Sequence, residues 1–488
     1  MPLNRLGLGV ADPAAIPYVL GDPFRKQRLQ QIVTGVNLST TPFATWAGDV
    51  SIAVGAEYRE EKVDGFVPDE FQPVPILNAA GVATGATNRW SVGNYLASKG
   101  KFDVKEAYLE TVIPLGLGLE FNGAVRATDY STAGYVTTWK LGATWQPIDD
   151  IRIRATRSRD IRAPNLNELF QAGTANSDAV RNPGFPGSSP SFVAAGQAPQ
   201  ASYSYSGFAT GNPNLREEKA DQWNVGAVFT PSFFPGFNLS VDYFDIDLDQ
   251  GISTFAAQSI VDLCFQGEQV FCDAITIDAA RSPNPAQPYL IIRNQPFNAA
   301  TQKVRGLDID AAYRLPLDRL FGDAQGAITL RGLATRYIDN KFDSGVPGTV
   351  VLNTVGVNGG QGSTPKWIYR ASIAFDADDF AITAIGRGVS KGKYVANGIE
   401  CAAGSCPIST TQFPTYESNR AGGLFYADLN LTTRFAIDGD RKGEFFINVT
   451  NVFDRDPILV PETGLAANST YSDLLGRAFR VGVRLQVR

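Results

Sequence analysis

Along most of this chain, apolar and polar residues alternate one for one. The pattern is plainest at the carboxyl end, RAFRVGVRLQVR (477–488). There Phe479, Val481, Val483, Leu485 and Val487 share one side of an extended strand, and Arg480, Arg484, Gln486 and Arg488 share the other. The same period of two runs through IVTGVNLS from Ile32, SIAVGAEYRE from Ser51, LEFNGAVRAT from Leu119 and TWKLGATWQ from Thr138. It recurs in WNVGAVF from Trp223, YADLNLTTRF from Tyr426 and FFINVTNVF from Phe445. Period two argues strands, not helices. It predicts about fifteen of them, near 28–39, 49–61, 102–114, 118–131, 134–146, 150–158, 219–229, 237–249, 302–314, 326–338, 366–377, 379–391, 422–436, 443–450 and 477–488.

Most of these strands exceed the five or six residues common in soluble sheets and approach the length a tilted membrane strand needs. Their connections alternate in length. Tight turns such as PLGLG (114–118), QPIDD (146–150), TPSFFPG (230–236) and AIDGD (436–440) take one end. Long segments near 62–101, 159–218, 250–301, 339–365, 392–421 and 451–476 take the other. Short connections on one rim and long ones on the other are the pattern of an outer-membrane barrel. The polar faces carry Glu57, Arg59, Glu120, Arg126, Lys140, Arg152, Arg154, Arg434, Arg480 and Arg484. In the packed interior of a sandwich each unpaired charge would cost several kcal/mol, whereas a water-filled lumen tolerates them. The fold class is therefore all-β, an antiparallel transmembrane β-barrel with its apolar side toward lipid.

Composition narrows the chemistry. Among 488 residues there is no histidine, which excludes Ser–His–Asp triads, HExxH sites and any His-ligated metal within the chain. A pair of carboxylates acting on a glycosidic bond remains chemically open. A net charge of −6 gives no reason to expect nucleic acid. No run approaches the roughly 18–20 apolar residues of a spanning helix. The first 25 residues contain Asp12, Pro13 and Pro17, where a signal peptide would need an unbroken apolar core.

Five stretches carry a resemblance: TRSRDIRAPNLNELF (156–170), GNPNLREEKADQWNVGAVFTP (211–231), LSVDYFDIDLDQGI (239–252), FFINVTNVFDRDP (445–457) and GRAFRVGVRLQVR (476–488). In order and character the chain resembles TonB-dependent outer-membrane receptors, over the carboxyl-terminal two-thirds of that family's barrel. The resemblance implies a barrel of about 22 strands around an amino-terminal plug domain. It also implies import of a scarce small-molecule nutrient such as a siderophore, cobalamin or an oligosaccharide, driven by the TonB energy-transducing complex. The partners it implies are outer-membrane lipid, the plug domain and that complex; no cofactor is implied.

Strand polarity adds an expectation. The first and fifteenth strands both run toward the periplasm, so they would meet parallel if this set closed alone. About seven further strands would restore an even, all-antiparallel count. Residues 1–27 then read as the end of an extracellular loop, 28–488 as a partial barrel, and the chain as an amino-terminally truncated receptor without plug or TonB box. A passive porin-like or adhesin-bearing barrel, and a soluble carbohydrate-active β enzyme, are the rival readings.

Candidate site residues follow. Cys264 and Cys272, and Cys401 and Cys406, form two close pairs in expected extracellular loops, an oxidising place, and are read as disulfides. Asp245, Asp247 and Asp249 imitate the start of a calcium loop, but Gln250 and Ala256 stand where its glycine and glutamate belong; the stretch reads as the mouth of a strand. By the resemblance Arg162, Pro164 and Asn165 sit where a strand leaves the membrane and turns inward, shaping the wall or contacting the plug. Trp90, Tyr95, Tyr203, Tyr205, Phe208 and Tyr416 are loop aromatics that could stack on a nutrient.

Overall fold

A computed structural model describes residues 20–485 except 73, 78–82, 88–89, 91–93, 174, 280, 283, 285, 323–324, 346–348, 360–362, 411–412, 439–440, 460–466 and 468–469. Most of the expected 1–27 segment, and the last three residues of the terminal strand, lie outside the described residues. Fifteen long strands form one antiparallel sheet in chain order. They are β1 Lys26–Thr45, β2 Gly48–Phe66, β3 Lys99–Gly116, β4 Leu119–Tyr130, β5 Gly134–Ile148, β6 Ile151–Arg162, β7 Glu218–Phe229 and β8 Phe237–Thr254. The rest are β9 Pro296–Pro316, β10 Ala327–Asp343, β11 Trp367–Asp376, β12 Phe380–Val389, β13 Leu424–Asp438, β14 Arg441–Thr450 and β15 Ala478–Leu485. Each expected strand is present, several of them longer: β9 runs 21 residues.

Strands joined by tight turns pair because no other partner is within reach, and strands joined by the long connections also pair in chain order. The register puts Leu38, Val54, Leu109, Val125 and Trp139 in one row and Asn37, Gly55, Tyr108, Arg126 and Thr138 in the next, on the opposite face. Farther round the sheet Leu330, Ile373, Ala384, Leu429 and Val449 continue the apolar face. Exposed Leu38, Val54, Leu109, Leu141, Ile373 and Val481 belong to it. Such a face is stable against hydrocarbon and costly against water. Among the described residues no ladder joins β1 to β15, and no plug domain is present. No helix among them is long and apolar enough to cross a membrane.

The long rim departs from a set of plain loops. One connection on it, between β4 and β5, is a tight turn, while those at 163–217 and 255–295 fold together. Their strands at Ile275–Ile277, Leu290–Asn294, Ser202–Ala209 and Ala175–Arg181 form a four-stranded sheet in that order, the central pair parallel. Against it lie helices α2 (Ala257–Phe265) and α3 (Gln269–Cys272). α2 buries Ala257, Ile260, Val261, Leu263 and Cys264, a stripe with helical spacing. With Tyr203, Phe271, Leu290 and Ile292 they make the largest buried apolar cluster among the described residues. The largest core among the described residues is therefore in this rim unit, the cap, while smaller clusters form where rim segments fold onto the wall.

Candidate functional site on the inner wall

The polar face is organised by ion pairs that cross strands. Arg154, Gly226 and Asp242 stand in register on β6, β7 and β8. Because Gly226 has no side chain, the Arg154 guanidinium passes over β7 and donates to both Asp242 carboxylate oxygens, at 2.8 and 2.7 Å. A Cβ at Gly226 would stand 1.9 Å from Asp242 Oδ1. Arg126 reaches Glu106 at 3.1 Å, Arg331 reaches Asp310 at 2.8 Å, and Arg484 reaches Glu444 at 2.8 Å. Each such pair in water adds under about 1 kcal/mol, so the row is a wettable lining more than a source of stability. A concavity of about 380 Å³ opens on this face, lined by Arg59, Glu106, Tyr108, Arg126, Lys140 and Asp160.

At the top of β6 the sequence RAPNLNELF turns the chain inward. Pro164 cannot donate to a ladder, and Asn165 caps helix α1 (Leu166–Phe170). The Asn165 side chain accepts from the Asn167 and Glu168 backbone N–H groups, and Glu168 returns a bond to the Asn165 N–H. This is a reciprocal capping box. α1 then lies on the inner face: Leu169 packs with Phe102, Val104, Tyr130, Val136 and Leu215. The Phe170 ring covers Gly100, where a Cβ would stand 2.2 Å from it. Arg162 fastens the turn, donating to Glu218 at 2.6 and 2.9 Å and to Glu168 at 2.9 and 3.1 Å. Glu218 also accepts from the Ile252 N–H at 2.7 Å. So Arg162 ties β6, β7, β8 and α1 at one point.

A second inward fold stands across the sheet. Arg387 on β12 donates to Asp428 on β13 at 2.9 Å and to Asp473, in the β14–β15 connection, at 3.3 Å. Its guanidinium lies 4.9 Å from the centre of the buried Tyr426 ring. The Asp473 N–H donates to the Tyr426 hydroxyl, and Tyr471 donates to the Ser363 carbonyl. Burial pushes the Tyr471 phenol above its usual range.

The structure separates the other candidates. Tyr203 and Tyr205, offered above as nutrient contacts, are 2% and 8% exposed and belong to the cap's core. Their strand alternates, and the side that looked free in the sequence is covered by α2. Burial, with Asp178 adding to it, raises the Tyr205 phenol. Phe208 on the same strand is half-buried. Trp90 meets Phe71 edge-on at 5.8 Å, and Tyr95 lies under Arg25. Tyr416 is half-buried and accepts from the Cys401 N–H through its carbonyl. Cys264–Cys272 and Cys401–Cys406 are disulfides. Asp245 and Asp247 pair with Lys303 at 3.4 and 2.8 Å, a cation where calcium would need an empty place. Among the described residues no group of His, Cys, Asp and Glu could hold a metal ion.

Glu168, Glu218, Arg387, Asp428 and Asp473 were not singled out from sequence. Glu168 had a local signal, three residues after Asn165. The others had none, since each depends on partners far away in the chain.

Comparison with known proteins agrees with this architecture. The family model of TonB dependent receptor-like β-barrels matches residues 9–452. The siderophore receptor PirA from Acinetobacter baumannii is similar at 16% identity and a TM-score of 0.58, over 94% of this chain and 55% of that one. A mutant ferric enterobactin receptor PfeA from Pseudomonas aeruginosa, in complex with enterobactin, is similar at 16% identity and a TM-score of 0.59, over 94% of this chain and 54% of that one. The chain thus spans about half the length of these structures, and at such identity the likeness speaks for the fold. An open-rimmed antiparallel wall, apolar outside and ion-paired inside, together with a family match over nearly its whole length, leads to one assignment: the chain belongs to the TonB-dependent receptor-like β-barrel family.

Proposed function

We propose that this chain is the wall of an outer-membrane receptor that admits a small-molecule nutrient through its lumen, with a siderophore as the substrate class. In this reading residues 1–27 lead from an extracellular loop into β1. A plug domain and a TonB-type energy-transducing partner, contributed from outside the described residues, complete the transporter. The chain does no covalent chemistry; it binds and conducts.

The observation that carries the reading is the inward folding of the long-rim connections. α1 and the β14–β15 connection both lie on the ion-paired face, each held by an arginine of the wall. Such inward folds put contacts for a nutrient inside the lumen; a narrowed passive pore is the rival, and dependence on the energy-transducing complex separates the two. The receptor that contains this chain, expressed in a siderophore-auxotrophic strain, should restore growth on particular ferric siderophores only while the energy-transducing complex is intact. Growth that persists without that complex would favour the passive pore and defeat the proposal.

A further inference from the structure

Two arginines stand side by side on the inner wall. Arg370 on β11 and Arg387 on β12 are direct partners in the antiparallel register. Like charges directly opposite one another repel and destabilise a sheet unless something neutralises them. Arg387 has Asp428 and Asp473. Arg370 is exposed on the same face and makes no ion pair or hydrogen bond among the described residues. Several inward arginines of this wall pair with carboxylates, as at Arg154, Arg331 and Arg434. Among the described residues Arg152, Arg314, Arg370 and Arg480 make no such pair, and of these Arg370 alone has another arginine as its register partner.

This arginine pair lines a concavity of about 290 Å³, together with Tyr426, Thr335, Ile368 and Tyr471. The carboxylates facing it are Asp428, Asp473 and, beyond Thr335, Asp308, which accepts from the Thr335 hydroxyl at 2.6 Å. Asp428 is fixed on β13 and also accepts from the Asn451 N–H. Asp473 instead sits in a connection and touches Arg387 at the longer distance of 3.3 Å. It is the carboxylate that can leave without breaking a ladder.

We propose that Arg370 and Arg387 form an anion subsite on the inner wall, which takes a carboxylate- or phosphate-bearing small molecule and in which Asp473 is the displaceable internal anion. Planar guanidinium forks match carboxylate and phosphate oxygens in pairs, and the flanking Tyr426 and Ile368 supply the apolar side of the pocket. An arriving anion neutralises Arg370 and competes with the Asp473 carboxylate for Arg387. The inference rests on the reading of this face as a passage.

The test is calorimetric titration of the full chain in detergent micelles, at low ionic strength, with citrate and separately with inorganic phosphate. Loss of one charge-assisted contact corresponds to roughly a tenfold change in affinity. Arg370→Gln should weaken binding of the anion that binds by about that factor. Asp473→Asn should strengthen it severalfold, and Arg331→Gln, already paired at Asp310, should leave it unchanged. Which probe binds decides between carboxylate and phosphate. If Arg387→Gln fails to fold, Arg370→Gln still decides, because it breaks no existing pair. Wild-type affinity in Arg370→Gln, or no binding of either probe, overturns the subsite. Binding is read on purified protein and nutrient uptake on cells, so failure of the receptor reading and failure of the subsite are separately visible.

Discussion

Removing Arg162 should unfasten α1 from the wall. Its guanidinium makes four hydrogen bonds of 2.6–3.1 Å to Glu218 and Glu168. The Glu218 side chain is only 10% exposed, so Arg162→Ala leaves a nearly buried carboxylate with the Ile252 N–H as its remaining partner. A stranded buried charge costs about 3–5 kcal/mol. Arg162 is itself 46% exposed, and water that enters beside Glu218 screens the loss, so about 2–3 kcal/mol is the working figure. Hydrogen exchange of the α1 amides would read it directly: a local loss of that size speeds their exchange by roughly 30- to 150-fold. The double variant Arg162→Met, Glu218→Gln should recover most of the protection, because no charge is then stranded. Unchanged exchange in Arg162→Ala, or a double variant no better protected than the single, would refute the reasoning.

Gly100→Val should displace Phe170 from the inner face and expose the 163–171 segment to protease, with the wall strands unaffected by circular dichroism. Leu169→Ala, at 1% exposure, should loosen the same helix by about 2–5 kcal/mol, seen again in α1 exchange. Ile373→Arg places a charge on the apolar face and should cost about 2–4 kcal/mol near the bilayer centre, whereas Ser372→Arg on the inner face should be tolerated; membrane assembly of the two variants compares them. Reduction of Cys264–Cys272 should loosen the cap by roughly 2–3 kcal/mol without altering the wall, tested by thiol labelling with and without reductant.

The wall was legible because its information is local. A period of two assigns a face to each residue of the long strands, and a tight turn such as Leu117–Gly118 pairs a strand with the one that follows it. Pro164 was legible for the same reason, since a proline ends its own ladder, whereas Arg162 and Asn165 came only through the family resemblance, and Arg162's partner Glu218 lies 56 residues away. The cap was not. Ser202–Ala209 pairs with Leu290–Asn294 across more than eighty residues, and no spacing in either stretch announces the other. Tyr203 and Tyr205 therefore looked like free loop aromatics until the fold buried them.

By itself the sequence determined that this protein is a two-faced antiparallel wall, since alternation along a strand needs no distant partner to have its effect. Tertiary structure alone decided which long connections turn inward, which aromatics are core, and that Arg370 faces Arg387. Those outcomes are set by contacts between segments far apart in the chain, where burial and charge compensation, not local conformational preference, choose the arrangement.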